Sequence, residues 1–210
     1  MSAAERYDAF CQRLYRRAVP WLAPGLRYSQ AYYEDALAAA VQPGVRWLDL
    51  GCGHHVLPEW RLEQEKRLVA AAGLAVGADR DLPAMRQHRS LRLRVGSDIG
   101  QLPFASGSFD VVTANMVVEH LPAPDRQFRE IHRVLAPGGR FLFHTGNLYG
   151  YYIAVSRLIP EFCKRPLARL LQGRVAEDVY PTCYLANSSG QVKRLAAATG
   201  FEAPRFVRFP

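Results

Sequence analysis

From residue 45 onward, short apolar runs alternate with segments of helical periodicity, and this alternation limits the fold more than any other feature of the sequence. The predicted strands are Val45–Leu50, Leu74–Asp79, Leu91–Gly96, Phe109–Ala114 and Arg140–His144, and the predicted helices are Glu59–Ala72, Pro83–His88 and Asp125–Leu135. A parallel pair of strands needs a long crossover connection, which is usually a helix. Strands that alternate with helices along the chain are therefore expected to pair in parallel. The helices then cover both faces of the sheet. We therefore predict an α/β fold with a doubly wound, mostly parallel sheet.

The segments that flank this region divide the chain further. The predicted parts are an N-terminal helical cover (1–44), the α/β core (45–146), an insertion rich in Tyr, Pro and Arg (147–187), and the last helix and strand of the core (188–210). The last helix is predicted from Ser188 to Thr199, with Asn187 as its cap and Gly200 as its terminator. The last strand is predicted over Arg205–Phe209.

The composition disfavours several classes of protein. The chain has 27 Lys and Arg against 19 Asp and Glu, but the arginines are spread along it and no zinc-finger spacing accompanies them, so a nucleic-acid partner is disfavoured. No apolar run has the roughly 18 residues that a membrane-spanning helix needs. Charged side chains within Met1–Leu14 disfavour an export signal. The 4 cysteines are scattered and form no CxxC pair, which favours a reduced cytoplasm.

Glycines and carboxylates stand where the first two predicted strands end. In an open parallel sheet, ligands bind beyond the carboxyl ends of the strands. The first strand runs into Asp49-Leu50-Gly51-Cys52-Gly53, whose glycines let the backbone turn sharply and approach a ligand, although they also suit a plain tight turn. The second strand ends at Asp79, where a carboxylate can accept hydrogen bonds from both hydroxyls of a ribose. Val56 occupies the last glycine position of a GxGxxG fingerprint, which argues against NAD.

Six ordered pieces of sequence carry a more specific resemblance. They are Trp47-Leu-Asp-Leu-Gly-Cys-Gly53, Gly77-Ala-Asp79, Asp98 before Leu102-Pro-Phe104, Phe109-Asp-Val-Val112, Val118-Glu-His-Leu121 and Arg133-Val-Leu-Ala-Pro-Gly-Gly139. Over Val45 to Thr145 the chain resembles class I S-adenosylmethionine-dependent methyltransferases, and within them the methyltransferase type 11 group. The resemblance implies a Rossmann-like methyltransferase fold, S-adenosylmethionine as cofactor and S-adenosylhomocysteine as product. This chain departs from the pattern at His55, where a third glycine is common. It also offers one candidate strand after the last helix where the fold normally ends in two, so the seventh strand is expected to be either missing or lost with a truncated end.

The resemblance also implies which residues bind the cofactor. These are Asp49, Gly51, Cys52, Gly53, Asp79, Arg80, Asp98, Ile99, Asn115 and Met116. Gly51 and Gly53 would contact the methionine part, and Asp79 the ribose. Asp98 would accept from the adenine amino group, while the Ile99 amide contacts the ring. Asn115 and Met116 would lie between the cofactor and the acceptor.

The insertion after the fifth strand is expected to bind the methyl acceptor. The residues predicted for this are Asn147, Tyr151, Tyr152, Tyr180 and Tyr184. The same segment also has the pattern of an amphipathic helix resting on anionic lipid, and both interpretations hold if the acceptor is lipid-linked. A hydroxyl acceptor needs a base, for which His144 and Tyr149 are the candidates; the alternative for His144 is a packed histidine. The adjacent His54 and His55 have no third ligand, so no metal is predicted.

Three functions are compatible with these residues. The first is a methyltransferase that acts on a small-molecule or lipid-linked acceptor. The second is a catalytically silent module that binds the cofactor and uses segment 147–187 for a partner. The third, an NAD-dependent reductase, has the same sheet but lacks the glycine pattern. Because the sheet is predicted to be one strand short, we expect a homodimer or a neighbouring segment to shield its exposed edge.

Overall fold

The computed structural model describes Arg27, residues 29–146 and residues 181–207. All of these except Arg27 and Pro181 belong to one compact unit. Its strands are β1 (Arg46–Leu50), β2 (Leu74–Asp79), β3 (Leu93–Gly96), β4 (Phe109–Asn115) and β5 (Leu135–His144). Its α-helices are α1 (Ser29–Ala40), α2 (Leu62–Ala71), α3 (Leu82–Arg86), α4 (Pro124–Val134) and α5 (Ser189–Thr199), and short 3-10 turns cover Glu59–Arg61 and Val118–His120.

The five strands form one parallel sheet in the order β3-β2-β1-β4-β5. The chain lays down β1, β2 and β3 towards one edge and then crosses to the other side of β1 with β4. Leu48 consequently lies opposite Val76 on one side and Val112 on the other. This reversal of strand order opens a crevice at the carboxyl ends of β1 and β4, which is where ligands bind in such sheets. The predicted fold class is confirmed.

Helices cover both faces of the sheet and bury two apolar clusters. One cluster packs α4 and α5 on the sheet, around Phe128 and Ile131 of α4. The other packs α1 on the opposite face, where Leu37 and Trp47 are fully buried. Because each central strand contributes to both clusters, its apolar run is nearly continuous, as expected for a parallel strand that is buried on both faces. Within the described residues, no helix combines the length and the apolar character that crossing a bilayer requires.

Strand β5 begins earlier than predicted and contains an irregularity. Phe109 pairs with Leu135, but Val111 already pairs with Arg140. The intervening Ala-Pro-Gly-Gly segment loops out of the ladder, with Gly138 at φ +75°. Helix α4 ends at Val134, before the Pro-Gly-Gly sequence. This sequence lies within strand β5, which was predicted to begin only at Arg140.

The cap of the last helix differs from the prediction. Ser188, and not Asn187, is the N-cap of α5: its hydroxyl accepts from the Gln191 amide at 3.3 Å, and the Gln191 side chain accepts in return from the Ser188 amide at 3.0 Å. This reciprocal pair is a capping box. Asn187 is drawn away because its side chain donates to the carbonyl of Gly146 at 2.9 Å. Gly200 ends the helix at φ +91°, as predicted.

The predicted last strand is wrong over the residues that the structure describes. Residues 205–207 have no strand pairing, and residues 208–210 lie outside the described part of the chain. Val207 is 72% exposed and Phe206 is 36% exposed, so neither side chain contributes to the buried core. This segment is therefore not a half-buried strand up to Val207.

Candidate cofactor and acceptor site

The loop after β1 is built around two glycines in the left-handed region. Gly51 has φ +66°, and a Cβ there would lie 2.4 Å from a methyl carbon of Val117, so this position must be glycine for internal packing. Gly53 has φ +47°, but a Cβ there would meet no atom within 4 Å. The structure therefore leaves open space directly beside Gly53, which is what a cofactor that approaches the backbone requires.

Asp79, at the end of β2, is tied to this loop. Its Oδ2 accepts from the Gly53 amide at 2.8 Å, and its Oδ1 accepts from the Asp81 amide at 2.9 Å. A carboxylate offers about four acceptor positions, so two remain for the hydroxyls of a ribose. Asp81 is the N-cap of α3, since its side chain accepts a hydrogen bond from the Ala84 amide at 2.9 Å. The residues at this end of β2 therefore fit the predicted cofactor.

Asp98 lies after β3, at the same edge of the sheet. Its Oδ1 accepts from the Gly100 amide at 2.6 Å, and its Oδ2 lies 3.6 Å from a guanidinium nitrogen of Arg80. Ile99 packs against the buried cluster of α4 and α5. The Asp98 side chain is exposed, and it retains free acceptor positions for the amino group of an adenine.

Asp49 and Cys52 lie beneath the loop instead of at its surface. The Trp47 indole donates to the hydroxyl of Thr113 at 2.8 Å, and that hydroxyl donates to Asp49 at 2.5 Å. Both carboxyl and thiol are buried, and burial raises the pKa of the Cys52 thiol. These two side chains support the loop from below. Thr113 could not be predicted as a partner of Asp49, because the two residues meet only through the pairing of β1 and β4.

The Asp49 carboxyl makes folding stability depend on pH. Burial raises its pKa to about 7, whereas an unfolded Asp ionises near pH 4. Between these values the folded protein retains a proton that the unfolded chain has released, so the free energy of unfolding falls as the pH rises. We expect Asp49→Asn, which keeps an oxygen facing Thr113, to remove this fall in urea unfolding measured from pH 4 to 8.

The difference between the two proteins is the informative quantity in that experiment. Burial lowers the pKa of His88 to about 4, which gives the opposite slope over part of the range, but it does so equally in both proteins. Parallel stability curves for the native protein and Asp49→Asn would contradict the assignment.

Three predicted residues meet where β4 and β5 end. The Nδ1 of His144 lies 3.0 Å from Oδ1 of Asn115, and the Met116 amide donates to the His144 carbonyl at 2.8 Å. Met116 has φ +55°, which is unusual for a side chain with a Cβ, and it is 47% exposed. The ring of His144 stacks on Tyr33 of α1, with 5.8 Å between the ring centroids. Burial lowers the pKa of His144, so its imidazole is neutral at pH 7.

A second hydrogen-bonded group joins the acceptor side of the core. The hydroxyl of Thr145 donates to the carboxylate of the buried Glu119 at 2.7 Å, and the side chain of Asn187 donates to the same hydroxyl at 2.7 Å. The Glu119 carbonyl also accepts from the amides of Cys183 and Tyr184 at 2.7 and 3.1 Å. Thr145, which precedes the insertion, and the last residues of the insertion are thereby joined to the loop after β4. Thr145 and Asn187 were not among the predicted site residues, since their partners are distant in sequence.

The predicted acceptor residues fall mostly outside the described part of the chain. Asn147, Tyr149, Tyr151, Tyr152 and Tyr180 lie there, and their predicted roles stay predictions. Tyr184 is described: it is half-buried at φ +53°, and its carbonyl accepts from the Gln191 side chain at 3.2 Å. His54 and His55 are exposed, and among the described residues no three His, Cys, Asp or Glu side chains converge as metal ligands.

Comparison with known proteins finds similarity over the same part of the chain. Residues 48–143 match the family described as methyltransferase domain. A fatty-acid O-methyltransferase of Mycolicibacterium smegmatis is 36% identical over 56% of this chain and 43% of its own length. A ubiquinone biosynthesis O-methyltransferase of Pseudomonas aeruginosa is 33% identical over 50% of this chain and 45% of its own. The chain thus spans about half the length of these curated relatives.

A solved structure shows the same fold at low sequence identity. A SAM-dependent methyltransferase from Aquifex aeolicus superposes with a TM-score of 0.55 at 15% identity, over 82% of this chain and 81% of its own. The family match spans β1 to β5 and includes the glycine loop, Asp79 and Asp98. Residues 48–143 therefore match the methyltransferase domain family, and the solved structure that has the same fold is a SAM-dependent methyltransferase.

Proposed function

We propose that this protein transfers a methyl group from S-adenosylmethionine to an oxygen atom of a small-molecule or lipid-linked acceptor. The observation that carries the proposal is the junction of Asp79 and Gly53, where a carboxylate with spare acceptor positions borders open space. The relatives named above are O-methyltransferases, one of fatty acids and one of ubiquinone biosynthesis, and this supports oxygen as the acceptor atom.

The residues divide the work between binding and orientation. S-adenosylmethionine supplies a methyl group that is bound to a positively charged sulfur. A nucleophilic oxygen attacks the methyl carbon in line with the carbon–sulfur bond, which breaks. Asp79 and Asp98 would hold the ribose and the adenine, and the loop around Gly53 would hold the methionine part. Holding two reactants in line is by itself worth several kcal/mol of the barrier, so a strong acid or base is not always needed. His144 would take the proton from a hydroxyl acceptor, since its imidazole is neutral at pH 7.

The decisive experiment measures binding and transfer separately. We expect titration calorimetry to show binding of S-adenosylhomocysteine and no binding of NAD. Incubation with labelled S-adenosylmethionine and fractionated metabolite and lipid extracts should then label a product. A methyl ester would release labelled methanol on alkaline hydrolysis, and a methyl ether would release labelled iodomethane only with hydriodic acid. Binding without any labelled product would instead support the catalytically silent module. Binding of NAD in preference would overturn both.

Several finer statements stay predictions. The tyrosines of segment 147–187 are proposed to line the acceptor site, with contact to anionic lipid if the acceptor is lipid-linked. A cytoplasmic location is proposed because the cysteines are few and scattered. A homodimer that shields a sheet edge is proposed because β3 and β5 are the edge strands of the sheet that the described residues form, and size-exclusion chromatography with light scattering tests it directly.

A further inference from the structure

We propose that Glu34, acting through Gln30 and Asn115, fixes the tautomer of His144 so that Nε2 is the nitrogen that accepts a proton. The inference rests on the proposed function in one respect, since it assigns the purpose of that nitrogen to methyl transfer. It also narrows the acceptor class: a fixed basic nitrogen serves a hydroxyl group, which must lose a proton, and not a carboxylate, which has none to lose at neutral pH.

Glu34 is a carboxylate residue on α1 that is only 4% exposed. Its Oε2 pairs with the guanidinium of Arg61 at 3.0 Å. Its Oε1 lies 3.4 Å from the side chain of Gln30, one turn earlier on the same helix. Because a carboxylate oxygen only accepts hydrogen bonds, the Gln30 amide must turn its NH2 group towards Glu34.

This orientation of Gln30 determines the next two groups. With its NH2 on Glu34, Gln30 presents Oε1 to Asn115, whose Nδ2 donates to it at 3.3 Å. Asn115 then presents Oδ1 to Nδ1 of His144 at 3.0 Å. An amide oxygen accepts, so Nδ1 of His144 carries the hydrogen and Nε2 carries the lone pair. The opposite orientation of the two amides would leave the oxygen of Gln30 facing an oxygen of Glu34.

The imidazole is also held in position by its surroundings. Tyr33 of α1 stacks against the ring at an interplanar angle of 25°. Among the described residues, no side chain or backbone group is hydrogen-bonded to Nε2 of His144. His144 therefore has one nitrogen engaged by a directional chain and one nitrogen available, at the carboxyl edge of the sheet where the acceptor is proposed to bind. Glu34, Gln30 and Asn115 are positioning residues in this scheme, and His144 is the catalytic one.

The test uses a substitution that reverses the chain without changing its shape. In Glu34→Gln, the amide oxygen of the substituted side chain remains paired with Arg61, and its NH2 group faces Gln30. Gln30 must then present its oxygen to position 34 and its NH2 to Asn115, and Asn115 its NH2 to His144. We expect Nε2 of His144 to become protonated. The readout is the pair of imidazole nitrogen chemical shifts of His144 in two-dimensional ¹⁵N NMR at pH 8, which distinguishes the two tautomers without any substrate.

The native protein should show a protonated Nδ1 and an unprotonated Nε2, and Glu34→Gln the reverse. Asn115→Asp added to Glu34→Gln should restore the native tautomer, because aspartate at this position can only accept. The matched control is Glu63→Gln, which removes an exposed carboxylate that pairs with Lys66 at 2.9 Å outside the chain. It should leave the His144 shifts unchanged. Thermal unfolding establishes that each variant is folded.

Two results would overturn the inference, and neither is confused with failure of the proposed function. A native His144 protonated on Nε2, or a tautomer that does not respond to Glu34→Gln, removes the orienting chain whatever the protein catalyses. If the tautomer does reverse, kcat for a hydroxyl acceptor should fall by about 10²-fold or more with unchanged affinity for S-adenosylhomocysteine. An unchanged kcat would show that the orientation serves no catalytic purpose. Absence of methyl transfer in the native protein would count against the proposed function alone.

Discussion

Gly53→Val should abolish measurable binding of S-adenosylhomocysteine while the protein remains folded. The structure gives two reasons. A side chain at Gly53 would enter the open space beside the loop, where no atom of the described residues, apart from the two chain neighbours, lies within 4 Å of a Cβ. A β-branched residue also resists the φ of +47° at this position, at a cost of about 1–3 kcal/mol. Titration calorimetry against S-adenosylhomocysteine measures the loss directly.

Gly44→Val is the matched control for this experiment. Gly44 also has a positive φ, of +86°, and a Cβ there would likewise meet no atom within 4 Å. It precedes β1 at the amino end, so the same strain is introduced away from the proposed site. We expect both variants to lose similar stability in urea unfolding and only Gly53→Val to lose binding. Equal loss of binding in the two would mean that backbone strain, and not occupied space, is responsible.

Asp79→Ala should weaken the affinity for S-adenosylhomocysteine by about 30- to 160-fold. This corresponds to 2–3 kcal/mol, the order expected when a charged acceptor of two hydrogen bonds is removed. The structure adds a second reason, since Asp79 also accepts the Gly53 amide at 2.8 Å and thereby positions the loop. Calorimetry gives the dissociation constant, and an unchanged value would remove the assignment of Asp79 to the ribose.

Asp110→Ala is the control for Asp79→Ala. It tests whether losing a carboxylate that accepts a backbone amide is enough to lower the affinity. Asp110 resembles Asp79 in that its carboxylate accepts a backbone amide, that of Arg46, at 2.9 Å. It also pairs with the Arg46 guanidinium at 2.6 Å, and it lies at the amino end of β4. We expect this variant to be destabilised without any change in affinity. A comparable drop in affinity would show that general loosening of the sheet explains the effect at Asp79.

The strands could be predicted from the sequence to within one or two residues at most ends, because an apolar run buried on both faces leaves a clear local signal. The cap of α5 could not. Ser188 and Asn187 are both suitable cap residues, and the choice depends on Gly146, a distant carbonyl that attracts the Asn187 side chain. The prediction of the last strand was wrong up to Val207 for a related reason, since a short apolar segment forms a strand only where a neighbouring strand exists to pair with it.

The same distinction applies to the candidate site: residues at strand ends could be predicted from the sequence, and residues that meet through packing could not. Gly53, Asp79 and Asp98 follow strand ends, so their convergence at one sheet edge could be inferred from the order of elements alone. The chain from Glu34 to His144 could not be inferred, because it depends on how α1 packs across the sheet and on which atoms of two amides face each other. Of the predicted acceptor residues in the insertion, Tyr184 is described, and its amide donates to the Glu119 carbonyl.

The position of β1 in the middle of the sheet has a consequence for how the chain is made. Its partner β2 follows soon after it, but its other partner, β4, comes only at Phe109–Asn115. During synthesis, which proceeds at about 5–20 residues per second, one side of this central strand therefore waits several seconds for its neighbour. Closing so long a loop is entropically costly and slows folding. The nascent chain is consequently most vulnerable to aggregation between the emergence of β1 and that of β4, which is when a chaperone that shields Trp47–Leu50 would be of most use.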